Sequence, residues 1–282
     1  MKTRTSLITI LVILNYSATI AQITTASSTF KTKITGGENP EYITVGSIMP
    51  YKVTPYNWGS LSPFMNPSIY KWWLNGNATG YVLLKKDGIT ALASLPPPNN
   101  VYYPDSFISI QWVKTGNYTI RVNEKSMPKP AITSCDLPGD VQTLDVVVSD
   151  RPTVTWDGAT LKGGCNLDNK TQMVPVIVNG SKEITVTYNL IYSPQTGTPD
   201  TTVNLTAIFT TTNHNETANG NIEIKIPAGK YGKYEVVIKG VTDKIAEKCG
   251  ILSQASDYPS NHFIIAVMPS LETGPIEYVK EL

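Results

Sequence analysis

The side chains able to do chemistry are few and scattered. The chain carries two histidines, His214 and His262, and three cysteines, Cys135, Cys165 and Cys249. A nucleophilic cysteine needs a histidine base within hydrogen-bond reach. His214 falls in the turn Thr212-Asn213-His214-Asn215 and His262 opens a strand, neither beside a recognisable nucleophile. Zinc wants clustered His and Cys, which two separated histidines do not supply. No nucleophile elbow, phosphate-binding Gly-rich loop or His-Glu-x-x-His segment occurs. Paired carboxylates for glycoside hydrolysis are set by distance in space, so no spacing reveals them. The composition points away from an enzyme, and no cofactor is expected.

Asp136, Asp140, Asp145 and Asp150 crowd one stretch and could clamp a calcium ion between two domains. The plainer reading makes Asp136 and Asp140 turn formers around Pro138-Gly139. In an oxidising compartment the cysteines tend to pair. Cys165 with Cys249 is the favoured bridge, leaving Cys135 free; pairing of Cys135 with Cys165 is the alternative. Among aromatics, Tyr70 and Trp72 share one face of a strand and Trp73 takes the other. Trp73 with Tyr102 or Tyr103 could form a flat platform for a sugar, whereas Trp72 and Trp112 read as core anchors. The Asn-x-Ser/Thr triplets at Asn77, Asn117, Asn169, Asn179, Asn204 and Asn215 read as products of a Thr/Asn-rich composition.

The elements that must position these residues are short strands. Alternation at period two recurs at Ile108-Ile110-Trp112, Ile184-Val186-Tyr188-Leu190, Val203-Leu205-Ala207-Phe209, Ile222-Ile224-Ile226, Tyr234-Val236-Ile238 and Phe263-Ile265-Val267. Turn residues separate them, and only Asp243 to Lys248 could form a turn or two of helix. Such a pattern predicts antiparallel β-sandwiches. The run Met127-Pro128-Lys129-Pro130 to Leu137-Pro138-Gly139 is the expected domain boundary.

Leu7 to Leu14 is an apolar run after Lys2 and Arg4, and Ala18-Thr19-Ile20-Ala21 offers a cleavage site, so residues 1–21 read as a secretory signal peptide. The 23 basic and 22 acidic residues nearly cancel. Such a balance gives no field for nucleic acid. No later stretch reaches the length of a membrane-spanning helix.

The stretch Val45-Gly46-Ser47, Tyr51-Lys52-Val53, Tyr70-Lys71-Trp72, Ile108-Ser109-Ile110-Gln111-Trp112 and Gly116-Asn117-Tyr118-Thr119-Ile120 resembles the polycystic-kidney-disease-like (PKD-like) immunoglobulin-fold domain. It is similar to the version found in exported proteins of bacteria that use type IX secretion. The resemblance implies that the Tyr-x-Trp strand fills a sandwich core and that the Ile-x-Ile-x-Trp…Gly-x-Tyr-x-Ile hairpin closes it. Cys135 stands where such domains carry a closing cysteine, without the usual partner at the front.

The expectation is therefore an all-β chain of two tandem antiparallel sandwiches after a signal peptide. A flexible lead-in would cover 22–39, a PKD-like sandwich 40–134 and a second immunoglobulin-like sandwich 136–282. The function expected is that of a non-catalytic, exported module in the periplasm or at the outer-membrane periphery or cell surface, engaging a protein partner. The alternative is a carbohydrate-binding module that takes polysaccharide on Trp73.

Overall fold

A computed structural model describes residues 21–25, 32–34, 40–53, 65–85, 87–91, 104–128, 141–196, 198 and 201–270. The first sandwich contains β1 (Ala21–Thr25), β2 (Thr32–Ile34), β3 (Glu41–Thr44), β4 (Ile48–Val53), β5 (Met65–Asn75), β6 (Tyr81–Leu84), β7 (Phe107–Trp112), β8 (Gly116–Pro128) and β9 (Gln142–Ser149). Its two sheets run β2-β1-β4-β7-β6 and β3-β9-β8-β5. The inward rows place Tyr51, Trp72, Ile110, Trp112, Ile120 and Val146 in one core.

The second sandwich contains β10 (Thr153–Trp156), β11 (Leu161–Cys165), β12 (Thr171–Gly180), β13 (Glu183–Pro194), β14 (Thr201–Thr210), β15 (Glu216–Lys225), β16 (Gly232–Asp243), the short helix α1 (Lys244–Lys248) and β17 (Phe263–Met268). The sheets are β10-β12-β15 and β11-β17-β16-β13-β14. Val176, Val178, Ile184, Val186, Ile222, Ile224, Val236 and Ile265 form a separate core. All eight are β-branched, stiff at χ1 and well suited to a pleated, half-buried surface.

Both sandwiches have immunoglobulin-like topology. In the first, β4, β7 and β6 take the places of strands B, E and D against β5, β8 and β9 as C, F and G. In the second, β10, β12 and β15 take those of A, B and E, against β13, β14, β16 and β17 as C, C′, F and G. A strand joins strand G in parallel in each case, β3 on β9 and β11 on β17. Each strand F opens with Gly-x-Tyr. The Tyr118 hydroxyl donates to the Lys114 carbonyl at 3.0 Å and that of Tyr234 to the Lys230 carbonyl at 3.1 Å, the tyrosine corner of this architecture. Burial holds the Tyr234 phenol up at about 12, so it stays a donor at any ordinary pH.

Three expectations are corrected. Gln142–Ser149 does not open the second sandwich. It pairs with β8 and β3, and Leu144, Val146 and Val148 fill the first core, so the changeover lies at residues 150–152. The Pro-rich stretch is thus the connection between strands F and G. The lead-in is not without structure: β1 pairs in parallel with β4 and antiparallel with β2. A strand at Leu161–Cys165 was not expected, since two glycines and mostly exposed side chains hide it. The signal segment, apart from Ala21, lies outside the described residues, as do Tyr102, Tyr103, Cys135, Asp136, Asp140 and residues 271–282.

Candidate functional site

Among the described residues the four sheets leave eight edge strands, and these are unequal. An edge presents unpaired N–H and C=O groups, and proteins guard it by shortness, charge, proline or bulges. β2, β3, β6 and β10 are only three or four residues long, and the end of β6 is covered by a Leu84–Ala91 bridge. β11 has five residues with Lys162 among them. β5 carries Pro67, Lys71 and a register break between Asn66 and Ile69. β15 carries Glu216, Glu223 and Lys225.

β14 has none of these guards. Its ten residues, Thr-Thr-Val-Asn-Leu-Thr-Ala-Ile-Phe-Thr, include no charge, proline or glycine. It runs in unbroken antiparallel register with β13, from Thr201 opposite Tyr192 to Thr210 opposite Glu183. Among the described residues its other edge has no strand partner. Leu205, Ala207 and Phe209 turn onto the second core, as the alternation predicts. Thr202, Asn204, Thr206, Ile208 and Thr210 are exposed, Ile208 by 63% and the neighbouring Val203 by 47%. Phe209 lies over Gly220 of β15, where a Cβ would run into the ring.

The loops at the near end of the second sandwich are engaged by the first. Tyr42 of β3 stacks on His214 with ring centroids 3.6 Å apart and planes 16° apart. Lys248 of α1 reaches Glu41 of β3 at 3.4 Å, and Cys249 packs against the first core. Burial raises the Glu41 carboxyl and Lys248 offsets this in part. Arg151, at the changeover, donates to Asp257 through Nε at 3.1 Å and Nη2 at 2.9 Å, and also to the Leu252 carbonyl. Between the sandwiches lies an open groove of about 610 Å³ bordered by Tyr42, Asn117, Lys182, Asn213, His214 and Asn215.

The expected site residues are dispersed. Trp72 is 2% exposed in the first core, while Trp73 is half-buried on the outer face, with the Lys71 ammonium 5.7 Å from its ring centroid. Arg121 lies opposite it on β8. Its proposed companions Tyr102 and Tyr103 fall outside the described residues. The Cys165–Cys249 bridge is not formed: both thiols are free. Cys165 is level with Met268, by the start of β16, whereas Cys249 follows its far end. Those twelve residues of strand span roughly 35 Å at about 3.3 Å each, against a Cα limit near 7 Å for a bridge. Burial pushes the Cys249 thiol up, which keeps it protonated and unreactive. Asp145 accepts from Thr119 at 2.8 Å and Asp150 is exposed. Among the described residues no three His, Cys, Asp or Glu side chains are grouped to hold a metal. The β14 edge was missed, because alternation marks a strand without saying which neighbours it gains.

No protein-family model matches the sequence, and no curated protein matches it. Among solved structures, the chain is similar to CBD12 from CALX1.2, at 10% identity and a TM-score of 0.26, over 81% of this chain and 97% of the other. It is also similar to the I-band fragment I67–I69 of titin, at 9% identity and a TM-score of 0.31, over 83% and 63%. The insect immune protein hemolin matches at 11% identity and a TM-score of 0.24, over 83% and 45%. The chain thus spans less than two thirds of the latter two, and at these scores the likenesses carry no functional assignment.

Proposed function

We propose that the protein is a non-catalytic, exported binding module of the cell envelope, which engages a protein partner by taking an extended partner strand onto the outer edge of β14. The single observation behind this reading is that, among the described residues, β14 alone of the long edges lacks charge, proline and bulge. Main-chain hydrogen bonds along such an edge would give affinity. The exposed Ile208 and Val203, set among threonines, would give the contact its side-chain preference. The resemblance to PKD-like domains of exported proteins, with the expected signal segment, supports an envelope location. The test places a photocrosslinking residue at position 206 and, as a control, at position 221 on β15, in cells that export the chain. One partner band from 206 and none from 221 is expected; equal crosslinking from both would contradict the reading.

A second reading, a polysaccharide-binding module, rests on Trp73, whose ring faces away from the core. On that reading Trp73→Ala abolishes retention on an immobilised polysaccharide and leaves the melting temperature unchanged. Retention by wild type and variant alike, or by neither, would remove it.

A further inference from the structure

The outer face of the sheet β3-β9-β8-β5 carries an unbalanced charge. Strand alternation sends Tyr70, Trp72, Ile120 and Val122 into the core. It sends Lys71, Trp73, Arg121 and Lys125 outward, and the outward rows of β5 and β8 contain no acid. All four of these side chains are half-buried. Glu124 stands opposite Tyr70, in the inward row. Asp145, the acid of β9, lies opposite Thr119 and accepts its hydroxyl at 2.8 Å. On the second sandwich, by contrast, Lys233 is paired with Glu235 and Lys244 with Glu183. Three cations thus gather on two strands of a chain whose 23 basic and 22 acidic residues otherwise cancel.

Arg121 is the centre of this patch. It lies opposite Trp73 on β5 and Thr143 on β9. Its Nε is buried without a hydrogen-bond partner, although a guanidinium offers five donors and cannot shed its charge. Residues directly opposite in antiparallel strands have Cβ atoms about 4.5–5.5 Å apart, so guanidinium and indole flank one small area. The Lys71 ammonium lies 5.7 Å from the indole centroid, drawn to the electron-rich face of the ring. The second sandwich meets this sheet at β3, the edge opposite to β5.

The chemistry of the patch selects its ligand. Cations without acids select an anion, and the guanidinium fork matches a planar carboxylate through two parallel hydrogen bonds, which an ammonium cannot do. The indole adds a flat apolar surface that suits the C–H face of a sugar ring. A hexuronate has both features, with its carboxylate attached directly to the ring. We propose that Trp73 and Arg121 bind the uronate units of an acidic polysaccharide, the sugar ring on the indole and its carboxylate on the guanidinium, with Lys71 and Lys125 attracting neighbouring carboxylates. The inference rests on the second reading above, polysaccharide on Trp73, and names its ligand class; it is independent of β14.

Equilibrium binding of the full chain to polygalacturonate and to alginate, each compared with its own methyl ester, gives the test. The wild type should bind at least one polyuronate about tenfold or more tightly than the uncharged ester. Arg121→Gln should lose that preference, and Arg121→Lys, which keeps the charge without the fork, should recover only part of it. Trp73→Ala should weaken binding to the polyuronate by about tenfold. Each variant should melt within about 2 °C of the wild type. Polyglutamate is the control for charge alone, and binding it as tightly as the polyuronate would overturn the proposal in favour of an acidic peptide. So would Arg121→Lys binding as well as the wild type. If Trp73→Ala weakens binding to acid and ester alike while Arg121→Gln changes neither, the polysaccharide reading stands and this inference falls. Binding of the wild type to none of the four polymers would overturn both.

Discussion

Glu41 and Arg151 are the charged residues on which the junction turns, and they predict opposite behaviour. Burial raises the Glu41 carboxyl despite Lys248. A carboxyl whose folded value lies above its unfolded value contributes stability that is fully present at low pH and lost as pH rises through the folded value. Glu41→Gln should therefore match the wild type in acid and become progressively more stable than it toward neutral pH, read as melting temperature against pH. A constant difference at every pH would contradict the raised carboxyl. Arg151 instead satisfies a buried partner, since Asp257 is 5% exposed and also accepts from the Gln254 N–H at 2.7 Å. Arg151→Met strands that carboxylate and should cost about 2–3 kcal/mol in denaturant unfolding. Neither role was legible in the sequence, because Glu41 and Lys248 are 207 residues apart and Arg151 and Asp257 are 106 apart.

At the scale of the elements, the strands were readable and their neighbours were not. Ile184-Val186-Tyr188 and Ile222-Ile224-Ile226 alternate and are buried as the period predicts. The same period marks Val146 and Val148 as a strand, but it cannot say that they join β8 across a proline-rich connection instead of opening the next sandwich. Asp243 was placed at the start of a short helix, and it is the N-cap of α1, accepting from Ile245 and Ala246 at 3.0 and 2.7 Å. The exposed edge depends equally on contacts far apart in sequence. Phe209 of β14 packs on Gly220 of β15, so Gly220→Ala forces the ring aside and should cost about 1–3 kcal/mol by overpacking. Urea unfolding checks this, and a neutral outcome would mean that Phe209 does not hold β14 in place.

Across the whole molecule, two immunoglobulin-like sandwiches are joined end to end through Arg151, α1 and the Tyr42–His214 stack. The loops that such sandwiches often use for ligands are here occupied at the near end of the second sandwich, which directs attention to its flank. Fold class and tandem order could be read from composition and period. The free edge could not, since it exists only once β13 has chosen its neighbours on both sides.

The most direct test compares partner capture by three forms of the full chain from its native envelope: wild type, Thr206→Lys with Ile208→Lys on β14, and Asn219→Lys with Asn221→Lys on β15. Lysine guards an edge against strand addition, and both pairs add the same charge at exposed positions. The strand-addition account predicts that the β14 pair loses a stoichiometric partner by at least tenfold, with its melting temperature within about 2 °C of wild type, while the β15 pair retains it. Equal capture by all three would contradict the account.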